Sequence, residues 1–593
     1  MLNVSTSRDP GPLSPAELHQ KGIAAYKAGR LDEAAACFTE LTRLLPGDAG
    51  VWEILGIVQH RRGNLDQAAE AFERSIRIRP EVQALNNLGA TLLDGGRYEE
   101  AIVPLKDAVR RAPSHVPSLH NLAKALIKQG KTRQAVGHLA AALKISSNNP
   151  ELMATQGVAL MTSGRSGEGA AMLRQSLGMR PHPGVHSQLL MALHEAAEEP
   201  GVIFSEARRW DELYARPLKG DAGFANDRDP DRPLRVGYLS ADFCIHPVAS
   251  FFEPLLLSHD PAQVQPWCYS SVRRADGVTG RLKGRAPMWR DVSMLSDEQV
   301  AASVLGDQID ILVDLGGHTS GNRLLVAARQ PAPVQVTYVG FPASTGVSAI
   351  EYRITEGLLD VPGEAEKLHS EKIIRLPGPF ATYLPPDSAP DVTPLPMLGN
   401  GFCTFGSSSS RGKINYPTLR TWARILGQAP GSRLRLYVSD VETDAPALLP
   451  AFESQGIARE RIQLRARQDI QHYLASHGEI DILLDTFPLS GHTVICHALW
   501  MGVPAVCMRG ATCWERLGSS VMSHVNLPET IATSAEDYIH AAVKLADDPA
   551  RMSALRGSMR ERMKNSPLMD YRAHARQVES VFRQMWRNWI VSR

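Results

Sequence analysis

His246 and Lys413 are the side chains best placed for chemistry, each in a loop of distinctive make-up. His246 closes the stretch Leu239-Ser-Ala-Asp-Phe-Cys-Ile-His-Pro247, between a hydrophobic run and a proline. Such a histidine, at the rim of a cleft, can take or position a proton near transferred atoms. Lys413 lies in Phe405-Gly-Ser-Ser-Ser-Ser-Arg-Gly-Lys-Ile-Asn415, and Leu483-Leu-Asp-Thr-Phe-Pro-Leu-Ser-Gly-His-Thr493 follows some 70 residues later. Loop amides, a helix N-terminus at His492 and Thr493, and one ammonium make a diphosphate cradle. The chain has no Gly-x-x-x-x-Gly-Lys-Ser/Thr, and neither half opens with Gly-x-Gly-x-x-Gly after its first strand, so the usual P-loop and dinucleotide signatures are missing. His318 follows Gly316 and Gly317 and is a further cleft candidate, whereas His369, His472 and His524 carry little. No third ligand accompanies His246 and His318, which argues against a metal site.

These loops need strands that end at a common edge. Leu234–Ser240 reads as a short buried strand, followed by a helix at 251–257 and strands at 267–270, 309–315 and 334–339. A first lobe therefore spans 234–380, and the proline-rich passage 377–396 is a crossing segment. Strands at 402–405, 434–438, 462–464, 480–484 and 503–507 alternate with helices at 417–427, 469–476 and 493–501, giving a second lobe over 381–567. A helix in 568–593 carries Tyr571, Phe582 and Trp586 back onto a lobe. The fold class is α/β and all-α: two Rossmann-like lobes behind a helical array.

The array is written in periodicity. Gly22, Gly56, Gly89, Ala123 and Gly157 recur every 33 or 34 residues, and Gly29, Gly63, Gly96, Gly130 and Gly164 follow seven residues behind. Ala34, Ala68, Ala101 and Ala135 form a third series, and Phe38, Phe72, Leu105, Leu139 and Leu173 a fourth. Small residues let paired helices cross closely, a glycine turns the chain, and a large apolar side chain fills the groove. Five helix pairs of tetratricopeptide type are expected over 17–183, with Tyr26, Asn87 and Asn121 as acceptor-binding candidates on the concave side and Asn86 capping or packing. A helical linker at 184–233 puts Trp210 and Tyr214 on one face and ends in a solvated charged run, Asn226-Asp-Arg-Asp-Pro-Asp-Arg-Pro233. Asp229 and Asp231 precede a strand instead of ending one, so that run is not a metal motif.

Composition narrows the function classes. With 64 Lys plus Arg against 63 Asp plus Glu in 593 residues, no global field attracts nucleic acid or an anionic membrane. The seven cysteines have neither CxxC spacing nor a framework, which fits free thiols in a reducing compartment. The start lacks a secretory signal and no 18-residue uncharged apolar run follows, so a cytoplasmic protein without stable membrane insertion is expected.

From about residue 234 to 590 the chain resembles the O-linked N-acetylglucosamine transferase family, with its bacterial members and the plant SPINDLY-like protein O-fucosyltransferases. The likeness rests on Arg235-Val-Gly-Tyr-Leu-Ser-Ala-Asp-Phe243 with His246-Pro247, Asp314-Leu-Gly-Gly-His-Thr319 and Arg329-Gln-Pro-Ala-Pro-Val-Gln335. It continues through Tyr352 in a loop before Ser370-Glu-Lys372, Lys413-Ile-Asn415, Asp481-Ile-Leu-Leu-Asp-Thr-Phe-Pro488, Gly491-His-Thr493 and Ala498-Leu-Trp-Met-Gly-Val-Pro504. The resemblance implies a GT-B type, metal-independent, inverting transfer of a sugar from a nucleotide diphosphate to protein serine or threonine, without a cofactor. By position, His246 matches the cleft histidine proposed as base or sugar-positioning residue, Lys413 the lysine at the diphosphate, and His492 with Thr493 the phosphate turn. Tyr473 falls beside the nucleoside, and His318 on a cleft residue of bacterial members.

The chain also departs from the family pattern. Ser410 stands where relatives have Asn or Gln, His497 where an acidic residue meets the ribose, Pro342-Ala-Ser344 for Pro-Gly-Thr, and Glu515-Arg516 for Ser-Arg. The expected sugar donor is UDP-N-acetylglucosamine or another UDP-hexose, with a GDP-sugar behind it. The expected partner is a protein or peptide on the array, with flagellin or another surface protein as acceptors by analogy, and a homodimer as a further expectation. The alternative is a non-catalytic tetratricopeptide scaffold or sensor that binds nucleotide sugar or a protein.

Overall fold

A Cβ on Gly22 would lie 2.8 Å from the Phe38 ring and one on Gly56 2.7 Å from Phe72, so only glycine lets these helix pairs close on their aromatic fillers. Gly29, Gly63, Gly96 and Gly130 have φ between 70° and 80° and turn each pair, a conformation that costs glycine nothing. The computed structural model describes residues 13–220 and 223–592. Its antiparallel pairs begin Pro15–Lys27 with Leu31–Leu44 and continue through Val116–Lys128 with Thr132–Ile145, followed by Pro150–Thr162 and Ser166–Met179. Ala34, Ala68, Ala101 and Ala135 are fully buried at the crossings.

Contacts divide the chain into one unit ending at Ala159 and a second beginning at Leu160. The second unit thus holds Ser166–Met179, Pro183–Glu195 and Pro200–Trp210 together with both lobes, where periodicity alone assigns everything up to residue 183 to the array. The reason lies in cross-contacts such as Ser187 Oγ to His318 Nδ1 at 3.0 Å and Ser348 N–H to Asp211 Oδ1 at 3.0 Å.

The first lobe is a seven-stranded parallel sheet of β1 (Leu234–Ser240), β2 (Val264–Ser270), β3 (Met288–Asp291), β4 (Ile311–Asp314), β5 (Val334–Thr337), β6 (Tyr352–Glu356) and β7 (Lys372–Leu376). Their spatial order is β3-β2-β1-β4-β5-β6-β7. The second lobe has β8 (Thr404–Ser407), β9 (Arg433–Val438), β10 (Ile462–Ala466), β11 (Ile482–Leu484), β12 (Ala505–Met508) and β13 (Ile531–Ala532), ordered β10-β9-β8-β11-β12-β13. Strand order reverses between β1 and β4 and again between β8 and β11, and ligands of such sheets bind outside the carboxyl ends at the reversal. The loops after these four strands are those holding His246, His318, Lys413 and His492.

Two elements differ from expectation. Tyr352 begins a strand, β6, instead of lying in a loop. Its sequence Tyr-Arg-Ile-Thr-Glu hides a strand because two charged residues are buried in it. Arg353 is enclosed by Asp360 Oδ2 at 3.1 Å and the carbonyl of Phe341 at 2.9 Å, and Glu356 accepts from His524 Nε2 at 2.8 Å. The charged run before β1 is anchored, not solvated: the fully buried Asp310 takes both guanidinium nitrogens of Arg232 at 2.7 Å and Asn226 Nδ2 at 2.8 Å. The terminal helix Tyr571–Val591 packs on the first lobe in particular, with Phe582 and Trp586 fully buried and Glu579 bonded to His259 Nδ1 at 2.9 Å.

Candidate active site

Asp485 follows β11 directly and organises the turn that comes next. Its buried carboxylate accepts from Gly491 N–H at 2.8 Å and from Ser490 Oγ, which in turn accepts from Gly518 N–H at 2.9 Å. Burial pushes the Asp485 carboxyl up to about 6, while these hydrogen bonds and Lys413 pull it back. The turn delivers His492 to the start of the helix Thr493–Trp500, whose first amides have no side-chain cap and remain available to an anion.

Lys413 Nζ donates to Ser490 O at 2.8 Å and lies 5.9 Å from the Trp514 ring centre. Burial pulls its pKa down; Asp485 and then Glu195 oppose that. Asn415 of the same loop donates to Phe487 O at 2.6 Å and caps the helix Tyr416–Gln428 at Thr418 N–H, so Lys413-Ile-Asn415 ties the lysine loop to the Asp485 turn. Ser410 is exposed and its side chain makes no cap bond, whereas Ser407, Ser408 and Ser409 are buried.

The β8 edge holds buried polar atoms: Ser407 Oγ and His497 Nδ1 have no hydrogen-bond partner among the described residues, and the hydroxyls of Ser408 and Tyr473 face each other. The His497 ring packs 5.5 Å from Tyr473 and 5.8 Å from Tyr383. Burial pulls His497 down to about 3 and pushes Tyr473 up to about 12, so both are neutral at pH 7.

From the first lobe, His246 caps the helix Pro247–Ser258: Nδ1 accepts from Val248 N–H at 3.3 Å and lies 3.6 Å from Asp242 Oδ2. Burial lowers the histidine pKa and raises that of Asp242, and each group's charge partly restores the other. One turn along the helix, the Phe251 ring stacks on His492 at 4.3 Å and 15°. His492 is held neutral, at about 4, by burial and then by Lys413. The helix that His246 caps therefore meets the second stretch at His492.

His318 does not join them as a ligand contact. It is 1% exposed, its Nε2 hydrogen goes to Thr345 O at 2.8 Å, and Nδ1 faces Ser187 Oγ at 3.0 Å. Nδ1 ties the lobe to the linker helix, and Nε2 ties the His318 loop to Thr345 within the lobe. In the array, the amide N–H groups of Asn87 and Asn121 are committed to Glu53 Oε1 at 3.3 Å and Asn86 Oδ1 at 3.0 Å, and Arg61 covers the Tyr26 ring at 4.9 Å. Sequence reasoning gave no role to Asp242, Asp485, Glu195 or Trp514. The two aspartates sit inside the quoted motifs and were within reach, but nothing local marks Glu195 or Trp514.

A cavity of about 360 Å³ opens between the linker helices and the two lobes, with walls that include Leu190, His194, Phe204, Phe341, Leu489 and Trp514 but not Lys413. That volume falls among the roughly 300–1,000 Å³ pockets that take small molecules.

Comparison with known proteins places the geometry. The model of glycosyl transferase family 41 matches residues 219–383 and 395–578. The chain belongs to this family. Tetratricopeptide models match residues 19–82, 62–116 and 92–153 of this family 41 member. It is 37% identical over 394 residues to the probable UDP-N-acetylglucosamine–peptide N-acetylglucosaminyltransferase SPINDLY of Solanum lycopersicum, covering 65% of the chain and 42% of that protein. It is 28% identical over 385 residues to the corresponding probable transferase SEC of Arabidopsis thaliana, over 62% and 38% of the two chains. The chain thus spans well under half the length of these curated relatives. A solved mutant of Thermobaculum terrenum O-GlcNAc transferase superposes with a TM-score of 0.82 at 32% identity, covering 86% of this chain and 98% of that one, and has the same two-lobed GT-B arrangement behind helical repeats. Among the described residues of the family 41 chain, no group of three or more His, Cys, Asp or Glu side chains could hold a metal ion, and no helix is long and apolar enough to cross a membrane.

Proposed function

We propose that this family 41 chain transfers a sugar from a nucleotide diphosphate, UDP-N-acetylglucosamine or another UDP-hexose, to a serine or threonine hydroxyl of a protein, with inversion and without a metal. The stacking of Phe251 on His492 carries this reading, because it sets the first-lobe helix that begins at His246 against the phosphate turn of the second lobe. In the reaction the acceptor oxygen bonds to the sugar C1, the C1–O bond to the diphosphate breaks, and its electron pair leaves with the nucleotide. Negative charge grows on the leaving phosphate, where Lys413 and the amides of the helix Thr493–Trp500 stabilise it. The acceptor proton passes to His246 Nε2. That requires the ring hydrogen on Nδ1, so the Val248 N–H contact at 3.3 Å gives way and Nδ1 turns to Asp242, whose Oδ2 stands 3.6 Å away. The unpartnered Ser407 Oγ and His497 Nδ1 support a nucleoside at the β8 edge, since a buried polar atom gains most from a ligand that bonds it.

The acceptor belongs to the same proposal: a protein or peptide presented by the repeats, such as flagellin or another surface protein before export. A reducing cytoplasmic setting is supported by seven free cysteines. The test is incubation of the full chain with a panel of labelled UDP- and GDP-sugars and cell lysate, read by intact acceptor mass. Lys413→Ala should lower transfer about 10²–10³-fold, the scale of losing one oxyanion-stabilising group. Nucleotide binding without transfer of any sugar would favour the scaffold or sensor instead.

A further inference from the structure

Glu195 ends the linker helix Pro183–Glu195, outside both lobes, yet its carboxylate reaches the phosphate-facing loop of the second lobe. A Cβ on Gly412 would lie 2.8 Å from Glu195 Oε2, so the carboxylate sits directly on the residue before Lys413. Ser166 Oγ donates to the same oxygen at 3.0 Å, fixing it from the neighbouring helix. The adjacent residue of the loop, Arg411, packs its guanidinium against Gly164, at the turn before that helix. Arg411 and Gly412 of the 3₁₀ turn Arg411–Lys413 are thus held by the last repeat turn and the linker helix.

We propose that Glu195 is a positioning residue for Lys413, holding the Arg411–Lys413 turn and the ammonium group in the orientation that meets the diphosphate. The inference rests on the proposed role of Lys413. Electrostatics agree with the geometry. Burial raises the Glu195 pKa while Ser166 and Lys413 lower it, and Asp485 and then Glu195 oppose the fall of the buried lysine's pKa. Without the carboxylate, a buried amine shifts towards its neutral form and the turn loses its anchor. Glu195 acts through the lysine and needs no contact with the sugar donor.

The test is a double-mutant cycle on the full chain, read as UDP affinity by titration calorimetry, with thermal unfolding recorded for each variant. Glu195→Gln should weaken UDP about tenfold, Glu195→Asp should recover most of that loss, and Glu195→Gln should add less than about twofold in a Lys413→Met background, because paired residues are non-additive. Should Glu195→Gln unfold the chain, Ser166→Ala removes the bond to Oε2 alone and enters the same cycle. An equal loss in both backgrounds, no loss, or tighter UDP binding by Glu195→Gln overturns the proposal; tighter binding would mean that the carboxylate competes with phosphate for the lysine. If Lys413→Met leaves UDP affinity unchanged, the crevice assignment itself fails and this inference with it. A Lys413→Met loss without a Glu195→Gln loss removes only the role of Glu195.

Discussion

His246 and His318 follow strands of one sheet and have opposite fates. His246 is exposed, with only Nδ1 facing protein groups, so Nε2 is open to a substrate and becomes the base once the ring hydrogen moves to Nδ1. His246→Ala should lower sugar transfer about 10²-fold, the low end of general-base contributions, and leave UDP affinity within about twofold by calorimetry. His318→Ala should do the reverse. It strands the Ser187 hydroxyl and the Thr345 carbonyl, costing about 1–3 kcal/mol of stability in a denaturant titration, with UDP affinity unchanged. Position after a strand made both histidines candidates; only their hydrogen-bond partners separate them.

At the level of elements, the repeat helices were the most legible part, because their spacing encodes contacts between near neighbours. Gly56→Ala should put a Cβ 2.7 Å from the Phe72 ring and lower array stability by about 1–3 kcal/mol. Far-ultraviolet circular dichroism on heating would register the loss, with donor hydrolysis at 25 °C unchanged. Strand β6 was illegible for the opposite reason. Arg353 and Glu356 read as surface residues, and their compensation comes from Asp360, from the Phe341 carbonyl and from His524, which is 168 residues beyond Glu356. The charged run before β1 misled in the same way, since Asp310 lies 78 residues from Arg232.

For the molecule as a whole, burial sets the response to pH. His318, His477 and His574 are pulled down to about 4 and His497 to about 3, below the ordinary imidazole value of 6.5, each chiefly by burial. A depressed histidine binds fewer protons folded than unfolded, so its contribution is intact above pH 6.5 and lost as pH falls toward 4. Asp314 and Asp485, pushed up to about 6 from 3.8 by burial, work in the other direction: they favour the folded state in acid and cost it stability as pH rises through 6. With His120 and His492 held at about 4 and His194 at about 3, also chiefly by burial, seven histidines outweigh the two carboxylates. Scanning calorimetry should show Tm falling between pH 7 and pH 5, and a flat or rising Tm would contradict this balance.

Sequence by itself determined what is periodic or contiguous: the repeat spacing, the βα alternation, and the loops that carry His246, Lys413 and His492. Each depends on residues within a few tens of positions, whose sterics and hydrophobic pattern are local. Tertiary structure alone decided which loops face each other, as Phe251 does His492, and which candidates were already spent, as His318 is on Ser187, 131 residues away. It also decided that a glutamate of a linker helix anchors the lysine loop of the far lobe. Hydrogen-bond partners at such separations leave no periodic trace, because one chain folds many distant segments against one another and any carboxylate or hydroxyl of the right reach could serve.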